Sequence, residues 1–246
     1  MSPPRFFVEA PLTVAASIPL AADMAHHALR VLRLRNGAPI VLFNGDGGEY
    51  RACLRIKGAA ALADIEAFDP IERESPLKLT LLQALVAADK LDWLVEKAVE
   101  LGVDRVLVVP MQRSVVRLDA ARAVRRAQHW GGIARAACCQ CGRNRVPAVE
   151  FCASFDAGLA AVAADQQRLM LLPAADHSLP CPVVGNRSAL MVGPEGGFVE
   201  DEVRRAQQAG FISVQLGPRI LRTETAGLAA LAALQALGGD LARADG

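Results

Sequence analysis

The chain has 246 residues, of which 52% are hydrophobic, 22% charged and only 4% aromatic, and its net charge is +1. That is a globular composition, and the near-zero charge excludes a polyanion binder acting over its whole surface. No apolar run approaches the ~20 residues of a membrane-spanning helix, and no basic start with an apolar core marks an export signal, so a cytoplasmic protein with free thiols is expected.

Residues 1 to 73 read as β-rich. Arg5-Phe6-Phe7-Val8 is a predicted strand. His26 to Leu34 places apolar residues at 28, 29, 31 and 32, the pattern of a short amphipathic helix. Pro39 to Phe43 and Glu49 to Ile56 flank Asn44-Gly45-Asp46-Gly47-Gly48, a hairpin signal because those residues tolerate positive φ. Ala61 to Phe68 adds another strand. Short strands with one helix suggest a small barrel. Asp69 to Pro76, charged and bounded by prolines, is the linker candidate, which sets expected domains at 1–73 and 74–246.

Beyond the linker the pattern alternates strand and helix. Leu79 to Val86 is a near-continuous apolar run, as for a parallel strand buried on both faces. Asp89 is an expected N-cap for a helix that turns Leu91, Leu94, Val95, Ala98 and Leu101 inward and closes at Gly102. Val103 to Val109 is the next strand. A long helical region, Asp119 to about Cys141, is expected to be interrupted at Gly131-Gly132, with a bend there. Ser154 to Ala164 reads as helix and Arg168 to Pro173 as strand. The expected class is α/β with a mainly parallel sheet.

Between Arg113 and Arg145 lie eight arginines against one acid, Asp119, which fits either a phosphate-facing surface or a solvated helix face. The six cysteines are Cys53, Cys138, Cys139, Cys141, Cys152 and Cys181. Cys138 and Cys141 form one C-x-x-C without a second pair, so small buried thiols are expected rather than a metal site.

Two loops then stand out. Gly193-Pro194-Glu195-Gly196-Gly197 follows the apolar run Ala189 to Val192 and precedes a helix. Leu216-Gly217-Pro218-Arg219-Ile220-Leu221-Arg222-Thr223-Glu224-Thr225 follows Ile212 to Leu216 and precedes another. Strand, Gly-rich loop and helix in tandem form a ligand crevice at the carboxyl ends of strands. Neither G-x-x-x-x-G-K-[ST] nor G-x-G-x-x-G occurs, so triphosphate and dinucleotide loops are not supported. Bare backbone at Gly193, Gly196, Gly197 and Gly217 suits an adenine or an amino-acid moiety. Thr223 reads as an N-cap and Glu224 as a first-turn carboxylate. Arg222 has no structural reason visible in sequence, and a guanidinium there suits a phosphate or an enolate-like oxygen.

The paired motifs Val192 to Phe198 and Leu216 to Ala226 resemble the signature of the SPOUT methyltransferases. More narrowly, the chain resembles the ribosomal RNA small subunit methyltransferase E family, which methylates N3 of a uridine in 16S rRNA. Arg5 to Val8, His26-His27 with Arg30 to Arg33, Gly47 to Tyr50, Lys97 to Gly102, Arg113-Ser114 and Gly142 to Pro147 carry the likeness through most of the chain. Ala87, Ala136 and Cys139 depart from the basic and acidic residues usual in that family.

The resemblance implies a PUA-like RNA-binding barrel over 1–73 and a SPOUT domain with a deep trefoil knot over 74–246. It implies S-adenosylmethionine held by Leu172, Gly193, Pro194, Glu195, Gly196, Gly197, Leu216, Gly217, Ile220, Leu221, Arg222, Thr225 and Ala226. It implies a homodimer acting on 16S rRNA or the small ribosomal subunit, in the decoding region. Arg5, Arg30, Arg33, Arg113, Arg143 and Arg145 are the RNA-contact candidates. Arg222 is the candidate for charge spreading onto O2 and O4 of the uridine, and Glu224 or Glu195 for the base. Ribose 2′-O methylation of tRNA or rRNA, and a non-catalytic RNA-binding protein with a vestigial cofactor site, remain as alternatives.

Overall fold

A computed structural model describes residues 3–58, 60–179 and 183–241; Cys181 lies outside the described residues. The chain divides into two compact units, residues 1–74 with 138–146, and residues 75–137 with 147–246.

The first unit is built on a five-stranded sheet. Its strands are β1 (Arg5–Phe7), β2 (Ser17–Pro19), β3 (Pro39–Phe43), β4 (Glu49–Lys57) and β5 (Ala60–Asp69), in the order β1-β3-β4-β5-β2. Among the described residues of this sheet, only β1 and β3 pair in parallel. The hairpin between β3 and β4 turns where the composition predicts it, with φ of +91° at Gly45 and +101° at Gly47. Ala52 and Leu54 on β4 face Ile65 and Ala63 on β5, and with Phe6, Ile40 and Leu42 they form the core.

The amphipathic helix expected at His26 to Leu34 is only partly correct. Helix α1 (Ala22–His26) runs into a π-helical turn, His27–Val31, in which Leu32 N–H donates to His27 O at 2.9 Å. The wider turn rotates the apolar phase. Ala28 is fully buried, whereas Val31 is 58% and Leu32 39% exposed. Arg33 then ends the turn in the left-handed region, at φ +52°.

The second unit is α/β, as its alternation predicts. Seven parallel strands, β6 (Lys78–Ala84), β7 (Arg105–Val109), β8 (Ala148–Phe151), β9 (Gln167–Leu171), β10 (His177–Ser178), β11 (Arg187–Val192) and β12 (Ile212–Gln215), take the order β10-β12-β9-β11-β6-β7-β8. Helices α2 (Ala88–Glu100) and α6 (Thr223–Gly238) pack together, and α6 lies on β6 and β11. On the other side, Leu82, Leu107, Met170 and Met191 pack with Phe155 and Leu159 of α4 (Phe155–Ala161) and Ala206 of α5 (Glu200–Gln208). Burying one such large side chain contributes about 2 kcal/mol.

Three local expectations are corrected. Asp89 is not the N-cap of α2; the cap position is Ala87, without a side-chain bond, and Asp89 sits in the first turn. Helix α3 (Ala120–Cys141) runs unbroken through Gly131-Gly132. Short strands β2, β8 and β10 carry no predicted run. The closure of α2 holds: Gly102, at φ +74°, and Val103 donate back to Val99 O and Ala98 O. No described helix is long and apolar enough to cross a membrane.

Candidate active site

The Gly-rich loops open from the carboxyl ends of β11 and β12, the two strands that flank β9. Together with the end of β9 they line a pocket of about 390 Å³. That volume lies in the range of small-molecule sites.

The first loop leaves β11 at Val192. Gly197, at φ +70°, donates to Pro194 O at 2.8 Å and closes a tight turn. A Cβ at Gly193 would stand 2.9 Å from the Phe198 ring, so the chain passes only because the residue is glycine. Arg113 Nη1 donates to Gly196 O at 2.8 Å, holding the far side of the loop. Glu202, 4% exposed, accepts from the backbone amides of Gln112 at 2.7 Å and Val199 at 3.1 Å.

The second loop leaves β12 at Gln215 and ends at Arg222, the N-cap of α6. Thr223 is therefore the first helical residue rather than the cap. Its hydroxyl donates to Gly193 O at 2.6 Å and accepts from Gln83 Nε2 at 2.8 Å. Glu224 is in the first turn as expected, 9% exposed, with Oε2 buried and without a hydrogen bond. Gly227 lets α6 approach the sheet: a Cβ there would be 3.2 Å from Gln83 Oε1 and 3.6 Å from both Leu81 and Val192.

Of the cofactor candidates, Leu172, Gly193, Pro194, Glu195, Gly197, Leu216, Gly217, Ile220, Leu221, Arg222 and Ala226 line the pocket. Gly196 and Thr225 are not among its lining residues, and neither is Glu224. Ile220 is 84% exposed on the second loop. At Gly197 and Gly217 an added Cβ would meet no protein atom, so their backbone faces open space. A mostly apolar, backbone-rich wall with few charged groups fits an adenosine and an amino-acid moiety.

Sequence reasoning missed two residues. Lys90, on α2, lines the pocket and places Nζ 2.7 Å from Glu195 Oε1 and 3.9 Å from Glu224 Oε2. The hydrogen bond to Glu195 raises the lysine pKa. For Glu195, burial pushes the carboxyl up, but Lys90 and the residue's own backbone amide hold it below its ordinary value. Gln83 is the other, fully buried on β6. The signal for it was an amide within an otherwise apolar strand end.

The arginine candidates fall into three groups. Arg30 and Arg33 are exposed. Arg113 is bound to the first loop, as described. Arg5, Arg143 and Arg145 form ion pairs inside the first unit. Arg5 meets Glu49 at 2.5 Å and Asn144 Oδ1 at 2.6 Å, and Arg145 meets Glu72 at 3.0 Å. Arg143 corrects the expectation of a phosphate-facing group: it is 5% exposed and holds Glu74 through Nε at 3.0 Å and Nη2 at 2.5 Å. Nearby, burial pushes the Cys138 thiol up to about 12, an inert state at neutral pH.

Comparison with known proteins gives one answer. The RNA methyltransferase domain family matches residues 73–235, and the RNA methyltransferase PUA domain family matches residues 20–62. Ribosomal RNA small subunit methyltransferase E of Bacillus subtilis is 32% identical, over 94% of this chain and 95% of its own. The Mycobacterium bovis protein of that name is 31% identical, over 94% and 91%. Among solved structures, ribosomal RNA small subunit methyltransferase E of Neisseria gonorrhoeae, bound to S-adenosyl methionine, superposes with a TM-score of 0.86 at 36% identity, covering 98% of this chain and all of its own (100%). A Legionella pneumophila protein solved with SAM bound gives 0.93 at 34% identity, over 98% and 100%.

Proposed function

The chain belongs to the ribosomal RNA small subunit methyltransferase E family, and on that footing we propose that it methylates N3 of a uridine in the decoding region of 16S rRNA, using S-adenosylmethionine. The observation that carries this reading is the pocket itself: two Gly-rich loops of bare backbone, at the carboxyl ends of parallel strands that flank β9.

When bound, S-adenosylmethionine supplies an electrophilic methyl group on a sulfonium sulfur. The residues holding it are those of the pocket wall, from Leu172, Gly193 to Glu195, Gly197, Leu216-Gly217, Ile220 to Thr223 and Ala226. Uridine N3 carries an imide proton at neutral pH, which has to leave as the methyl arrives. Glu224 is the base in this reading, because its Oε2 is buried without a hydrogen-bond donor. Glu195 is already engaged by Lys90. Arg222, exposed beside the pocket, stabilises the charge that spreads onto O2 and O4. The target base is unstacked to enter.

Residues 1–73 are the RNA-binding PUA-like domain in this proposal, with Arg30 and Arg33 as exposed phosphate contacts. Residues 74–246, apart from 138–146, which belong to the first compact unit, form the methyltransferase domain, knotted through the two loops. The protein works as a cytoplasmic homodimer. Deleting the gene and digesting 16S rRNA tests the reading. Loss of one 3-methyluridine from the nucleoside mass spectrum supports it; loss of a 2′-O-methyl nucleoside instead overturns it.

A further inference from the structure

We propose that Gln83, which is outside the pocket wall, is a positioning residue that locks the two Gly-rich loops together and thereby sets affinity for S-adenosylmethionine. The inference rests on the reading of the pocket given above.

The reasoning begins from proton counting. A threonine hydroxyl has one proton to donate. Thr223 Oγ1 lies 2.6 Å from Gly193 O, a carbonyl that can only accept, so the proton is committed there. The hydroxyl oxygen must then accept from Gln83 at 2.8 Å, and the amide must present its NH₂. Amide, hydroxyl and loop carbonyl are thereby oriented in series. The chain runs from a central strand through the first turn of α6 to the first residue of the other loop. Thr223 and Gly193 both line the pocket, and Gln83 reaches it only through them.

Stability alone does not call for glutamine here. Gln83 is 0% exposed, and its Oε1 has no hydrogen-bond partner. A buried acceptor left unpaired is costly, and methionine would fill the same space without that cost. What the amide adds over methionine is the bond to Thr223 at 2.8 Å, beside a long one of 3.5 Å to Ala84 O. The close backbone of Gly227 leaves the amide little room to turn away.

Isothermal calorimetry with S-adenosylmethionine, alongside thermal unfolding, tests the proposal. Gln83→Met is expected to weaken binding by about tenfold while the melting temperature is held or raised. Thr223→Val should weaken binding similarly, the double variant no further, and Thr223→Ser should restore it. Gln83→Glu adds a readout independent of packing. The introduced carboxyl can donate to Thr223 only when protonated, so affinity relative to the wild-type protein should fall between about pH 6 and about pH 9. Binding by Gln83→Met within about twofold of wild type, or losses that add in the double variant, would overturn the proposal. If Gln83→Met does not fold, a flat pH profile for Gln83→Glu overturns it. Wild-type protein that fails to bind S-adenosylmethionine would remove the pocket reading and this inference with it; wild-type binding matched by Gln83→Met removes this inference alone.

Discussion

Lys90, in the first turn of α2, meets Glu195, in the first Gly-rich loop, at 2.7 Å, and the same ammonium group lies 3.9 Å from the buried Oε2 of Glu224. One cation therefore answers a carboxylate from the first loop and another from the first turn of α6. The family resemblance implies a basic residue near position 87, where this chain has alanine. Lys90 supplies a cation to the pocket from one helical turn further on.

Removing that cation should matter more to chemistry than to folding. An ion pair this open to solvent contributes little to stability. Lys90→Met is expected to leave the melting temperature nearly unchanged and to lower kcat/KM for methyl transfer by about tenfold or more. Steady-state kinetics with thermal unfolding on the same samples checks both halves.

Glu224→Gln separates base from scaffold. The amide keeps the volume and removes the proton acceptor. Single-turnover transfer should fall by about 10²-fold, while calorimetric affinity for S-adenosylmethionine stays within a few-fold. Arg222→Ala should likewise lower the transfer step; full turnover by that variant would remove Arg222 from the mechanism.

The arginine candidates should divide by what they touch. Arg143→Ala strands the Glu74 carboxylate in a buried site and is expected to cost about 3 kcal/mol in urea unfolding. Arg30→Ala and Arg33→Ala touch only solvent-facing surface and should change stability by less than about 0.5 kcal/mol. They should instead weaken rRNA binding and flatten its salt dependence, each by about one phosphate contact.

Acid should loosen the first unit through Glu49. Burial pushes its carboxyl up, but Arg5 and Arg73 together hold it below its ordinary value of 4.5. A carboxylate with a depressed folded-state pKa stabilises the fold at pH values above the unfolded pKa, and that contribution is lost as pH falls through the folded value. Wild type should therefore be more stable than Glu49→Gln near pH 7, with the gap closing as pH falls below about 4. Urea unfolding of both proteins across that range is the measurement.

Most of the architecture was legible because its signals are local. The Leu79 to Val86 run, the Asn44 to Gly48 turn and the closing Gly102 each encode their element in a few residues. Both loops were legible for the same reason. What was hidden depends on register or on distant partners. The π-turn at His27–Val31 moves Val31 and Leu32 outward by one extra residue per turn, which no apolar spacing reveals. Thr223 looks like a cap in sequence, but Gly193, thirty residues away, and Gln83 claim its hydroxyl. Arg143 looks solvent-facing until Glu74, 69 residues earlier in the chain, closes on it.

The central claim is transfer of a methyl group to uridine N3, and alkaline hydrolysis of the labelled product tests it most directly. Purified protein is incubated with methyl-labelled S-adenosylmethionine and small subunits from a strain lacking the gene. The proposed reaction leaves every ribose 2′-hydroxyl free, so alkali should release the label in a mononucleotide that comigrates with 3-methyluridine monophosphate. Label retained in an alkali-resistant dinucleotide, or no label in 16S rRNA at all, would contradict it.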